Sequence, residues 1–124
     1  MRGLIFLIDN ALLYHDKHIY SFDPHFLMMA HYFIMWSFTE EGTKNLKGVI
    51  DGIEIFKANT EARGNPYHGT FYCFGLYGAI SHVQADNDFE VREDLLKAEK
   101  QGSLRSTTLK TITHEEAMKL ANSI

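Results

Sequence analysis

The stretch His31-Tyr32-Phe33-Ile34-Met35-Trp36-Ser37-Phe38 decides how this chain folds. Its even positions are all aromatic or aliphatic, and among its odd positions only His31 and Ser37 are polar. A strand with one wet face alternates apolar with polar residues. This strand is apolar on both faces, so both faces need a cover.

The residues that follow supply a cover for one face. Thr39 is a good helix N-cap, and Glu40 and Glu41 sit where the positive end of a helix dipole favours acidic side chains. Leu46, Val49, Ile50, Ile53 and Phe56 recur at helical spacing, which predicts one amphipathic helix running to Gly64, with Pro66 behind it as a stop. Gly48 and Gly52 weaken that helix, but their small size lets it lie close to a sheet. Tyr67 to Phe74 and Tyr77 to Ala85 are rich in β-prone residues around a Gly75 to Gly78 turn, which predicts a hairpin. Asp86-Asn87-Asp88 caps a second helix, Phe89 to Gln101, with Val91, Leu95 and Ala98 facing inward and Gly102 as its end. Leu104 to Ile112 predicts a last strand. Thr113 and Glu116 then make a capping box for a C-terminal helix expected to bury Ala117, Leu120, Ala121 and Ile124.

The order β-α-β-β-α-β is the ferredoxin-like motif: an α+β domain with a four-stranded antiparallel sheet and both helices on one face, here with an extra C-terminal helix. The second sheet face is left for a partner copy, a ligand or the N-terminal segment.

The chain has 124 residues, enough for one domain with a modest core. Residues 1–29 are weakly patterned and read as an N-terminal extension; residues 30–124 form the domain. Arg2 and the apolar run to Ile8 resemble the start of a signal peptide, but Asp9 cuts that run too short. Asp23-Pro24 breaks any element there. No run reaches the length of a membrane span. Cys73 is the sole cysteine, which excludes an internal disulfide and fits a reducing cytoplasm. The net charge of −4 argues against a nucleic-acid partner.

Three stretches resemble a known family. Thr39-Glu40-Glu41-Gly42 with Lys44-Asn45-Leu46, the hairpin Phe71 to Ser81, and Leu104-Arg105, Thr108-Leu109 with Glu115-Glu116 are similar to GYD-domain proteins of the dimeric α/β-barrel group. The resemblance spans about residues 31–119. It implies the ferredoxin-like fold and assembly of copies, and it carries over no catalytic residues. Gly75 and Tyr77 match the naming motif, whereas Gly78 stands where the family has aspartate.

Candidate chemistry is sparse. His82 lies mid-strand, and with Trp36, Tyr72 and Tyr77 it is the expected lining of a pocket or interface. A hydroxyl such as Ser81 or Thr70 is the expected partner of its ring. His15, Asp16, His18, Asp23 and His25 could ligate a metal but sit in the least regular part of the chain, so no metal and no cofactor is expected. Cys73, within a strand and beside no base, reads as a buried inert thiol. Asp86, Asp88 and Glu90 lack the glycine and terminal glutamate of a calcium loop, so capping explains them better. The expected function is a homo-oligomeric assembly or small-molecule-binding module. The alternative is a cofactor-independent oxygenase or isomerase, which requires a cavity bordered by His82, Tyr72 and Trp36.

Overall fold

The computed structural model describes residues 28–124, so the acidic and histidine residues between His15 and His25 lie outside the described part. Strand β1, Ala30–Phe38, is hydrogen-bonded along both edges. A short helix α1, Glu40–Lys44, leads to the long helix α2, Leu46–Ala62. Strands β2, Tyr67–Tyr72, and β3, Ala79–Ala85, form the hairpin. Helix α3, Asp88–Glu99, strand β4, Leu104–Thr111, and helix α4, His114–Ser123, complete the chain. The sheet is antiparallel with the order β2-β3-β1-β4, the ferredoxin-like arrangement expected from the element order.

The interior position of β1 sorts its side chains by period two. Tyr32, Ile34 and Trp36 point to the helix side and are fully buried with Val49, Ile53 and Phe56 of α2 and Val91, Leu95 and Ala98 of α3. The Trp36 and Phe56 rings meet edge to face at 5.3 Å. The polar atoms in this layer satisfy each other. Trp36 Nε1 donates to Ser81 Oγ at 2.9 Å, Ser81 shares a hydrogen bond with Thr70 at 2.6 Å, and Thr70 with the Tyr67 hydroxyl. Gly52 allows the close approach of α2, since a Cβ there would stand 2.7 Å from Leu104 Cδ1. Between the two long helices, Arg63 Nε donates to both carboxylate oxygens of the buried Asp94 at 3.2 and 3.0 Å.

Four expectations need correction. The first helix is two, because Asn45 leaves helical geometry and its side chain accepts from the Gly48 N–H, capping α2 afresh. Leu46 and Ile50 are consequently exposed. The hairpin strands are shorter than expected, and Cys73 is a half-buried turn residue rather than a buried strand residue. The capping box of Thr113 and Glu116 is formed, yet α4 buries none of its side chains, and Ile124 is 95% exposed. The inner face of the sheet is already filled by α2 and α3, so that surface is closed to its apolar stripe.

The structure also explains Gly78. Its N–H donates to the Trp36 carbonyl at 2.8 Å, and a Cβ would meet the Phe38 ring at 2.5–2.7 Å. An aspartate at this position cannot coexist with Phe38 as it packs here. Gly78→Asp is therefore expected to lower stability by about 1–3 kcal/mol in urea unfolding, the usual range for overpacking. The cost should shrink in a Phe38→Ala background. Equal costs in both backgrounds would show that this contact does not exclude the side chain.

Candidate functional site

The odd positions of β1 point away from the helices. His31, Phe33 and Met35 share this second face with Ile80 and His82 of β3, because the register sets Met35 opposite Ile80 and Phe33 opposite His82. Phe71 of β2 and Leu109 of β4 extend it, opposite Ile80 and Phe33 respectively. Phe71 is 77% and Leu109 45% exposed, while Phe33, Met35 and Ile80 are half-buried. Among the described residues no helix is sealed against this face.

Three histidines from three adjacent strands converge on it. His31 Nδ1 and His82 Nε2 share a hydrogen bond at 2.9 Å. His68 reaches them through a bulge in β2. Tyr67 pairs with Val83, and the next paired residue is Gly69, opposite His82. The bulge is possible because Gly69 takes φ +148°, a conformation that a side chain disfavours. The His68 ring stacks on His82 with centroids 4.3 Å apart. Phe33 also stacks on His82, at 4.3 Å and only 9° from parallel. One nitrogen from each of His31, His68 and His82 falls within 4.8 Å of the others.

A second layer orders the trio. Gln84 Nε2 donates to the Met29 carbonyl at 3.2 Å, which turns the amide so that Oε1 faces His68. His68 Nε2 then donates to that oxygen at 2.7 Å. In a neutral His68 the lone pair therefore lies on Nδ1. Burial, with His68 and His31 adding to it, pushes the His82 imidazole down to about 4. Burial and His68 also lower His31, partly offset by the Glu116 carboxylate. Burial and the neighbouring imidazoles thus disfavour the charged forms of His31 and His82.

The residues singled out from the sequence do not gather in one place. Trp36 is buried on the helix face among Tyr32 and Phe56, on the far side of the sheet from His82. Tyr72 lies toward the helix side, lining an open groove of about 390 Å³ between α2 and β2 with Ile53, Lys57, Tyr67 and Thr70. Neither Trp36 nor His82 borders that groove. Tyr77 is in the hairpin turn, half-buried. His82 is satisfied by His31 instead of a hydroxyl, because Ser81 and Thr70 face the other way and are engaged with Trp36 and Tyr67. Reading outward from Trp36 missed His31 and His68. The signal that finds His31 is strand alternation, which puts it on the face opposite Trp36; His68 needs the bulge.

No protein-family model and no curated protein matches this chain. Among solved structures, the crystal structure of MtbAldR superposes with a TM-score of 0.53 at 15% identity, covering 79% of this chain and 63% of that one. The chain thus spans less than two thirds of the length of MtbAldR. The likeness shows the fold, an α+β ferredoxin-like arrangement. No helix among the described residues is long and apolar enough to cross a membrane.

The lowered His82 makes stability depend on pH in a defined direction. The unfolded chain takes up a proton at His82 near pH 6.5, whereas the folded chain does so only near 4. Between these values the unfolded state binds more protons, so stability rises with pH across this window and is lost as pH falls from 6.5 towards 4. His31 acts in the same direction. Urea midpoints measured at neutral pH and near pH 5 should fall more for the native chain than for His82→Gln. Parallel losses in both would mean that His82 does not resist protonation.

Proposed function

We propose that this chain is a self-assembling module, and that its open sheet face is the contact surface, with a small-ligand space beside the histidine trio. The observation that carries this reading is one contiguous face on which Phe33, Met35 and Ile80 lie between the exposed Phe71 and Leu109. Monomers seldom leave apolar patches of several hundred Å² in water, and two antiparallel sheets pack well face to face. Met118 and Leu120 of α4, and Ile124 just after it, are exposed as well.

The GYD-type reading belongs to this proposal. Its support is the hairpin from Phe71 to Ser81 and the capped exit at Thr113, both formed at the positions that carry the resemblance. Phe38 occupies the space of the aspartate that this chain lacks. The lone cysteine and the acidic charge balance support a cytoplasmic setting without a nucleic-acid partner. Among the described residues Trp36 and His82 lie on opposite faces of the sheet, which does not support an oxygenase or isomerase cavity bordered by both.

Sedimentation of the full chain at micromolar concentration is expected to show a homo-oligomer. Leu109→Lys, which places a charge at one border of the proposed contact, is expected to weaken association about tenfold or more. A full chain that sediments as a monomer overturns the proposal. If removal of residues 1–28 then produces association, the N-terminal segment is what covers this face.

A further inference from the structure

We propose that His31, His68 and His82 form a binding site for a late first-row divalent cation of the zinc type. The inference goes beyond the assembly reading and does not depend on it, since all three ligands come from one chain.

The geometry suits such an ion. Zinc binds imidazole nitrogen at about 2.0–2.1 Å, so tetrahedral ligand nitrogens stand about 3.3 Å apart. That separation lies between the 2.9 Å contact of His31 Nδ1 with His82 Nε2 and the 4.8 Å within which all three nitrogens fall. His31 and His82 rise from β1 and β3, which are paired in register, and His68 from the bulge of β2 beside them. A site on paired strands holds its ligands more firmly than one on a loop. Imidazole is a ligand for zinc, copper and nickel, and poorly suited to magnesium or calcium, which require oxygen.

The second layer also fits. Ligating histidines characteristically donate their other ring N–H to an acceptor that fixes the tautomer. His68 does this to Gln84, whose amide is itself oriented by the Met29 carbonyl. Phe33, stacked on His82, and the neighbouring Met35 and Ile80 give the site an apolar flank. Three protein ligands leave a fourth position to water or a small anion, as in zinc sites that do chemistry rather than hold a fold together.

The test uses the full chain with Zn²⁺ for calorimetry and Co²⁺ for absorption spectroscopy. One ion per chain is expected, with Co²⁺ showing the visible bands of a low-coordinate site. His68→Gln and His82→Gln are each expected to weaken Zn²⁺ binding tenfold or more. Gln84→Leu, which touches no ion directly, is expected to cost about 10–100-fold. The triple variant His15→Gln, His18→Gln, His25→Gln keeps the site and should bind as the native chain does. Ring ¹⁵N signals of the native chain give a readout free of any folding defect in a variant. On adding Zn²⁺, those of His31, His68 and His82 should shift together. Binding lost in the N-terminal triple variant, unchanged in His68→Gln and His82→Gln, or without movement of these three rings overturns the assignment.

Discussion

Pairing of β1 along both of its edges is the constraint on which everything else rests. An edge strand can turn one face to solvent and slip by a residue at modest cost, but an interior strand cannot. β3 on one side and β4 on the other hold β1 in a single register. Period-two alternation then does the sorting. Tyr32, Ile34 and Trp36 are committed to the helix layer, and His31, Phe33 and Met35 to the opposite face. Slipping β1 by one residue would exchange the Trp36 indole for imidazole and thioether in the core, and the Trp36–Ser81 hydrogen bond would be lost.

The two faces handle their polar atoms differently. Behind Trp36 on the helix side, a chain of neutral groups runs from the Tyr67 hydroxyl through Thr70 and Ser81 to the indole N–H. Such groups carry no charge to desolvate. On the other side the polar groups are imidazoles. Each has one donor and one acceptor when neutral. Burial, with the neighbouring imidazoles adding to it, disfavours the charged forms of His31 and His82.

Much of the fold was legible because it depends on local signals. Thr39, Asn87 and Thr113 cap helices as their side chains lead one to expect, and Val91, Leu95 and Ala98 face inward at helical spacing. The misreadings have physical causes. Asn45 competes for its own local hydrogen bond and so splits a helix that apolar periodicity reads as continuous. The amphipathic pattern of α4 shows that the helix has an apolar stripe, and says nothing about whether a surface is free to receive it. His82 stands out from its mid-strand position, but only the strand pairing shows that it and Trp36 lie on opposite faces of the sheet. Alternation separates His31 from Trp36; pairing His31 with His82 requires the inter-strand register, and bringing in His68 requires a bulge that Gly69 permits but does not announce.

The bulge is thus the step that turns a pair of histidines into a trio. In an unbulged β2, with Tyr67 and His68 as they stand, alternation would turn Gly69 to the helix side and the residue at 70 to the open face. Thr70 would leave Ser81, and the hydroxyl chain behind Trp36 would be broken. The extra residue resolves both demands at once. It keeps Thr70 on the helix side, where Ser81 needs a partner, and it puts Gly69 across from His82 while the His68 ring stacks on His82. The packing of the core and the arrangement of the open face are therefore coupled through a single backbone irregularity, and a change that regularises β2 acts on both faces together.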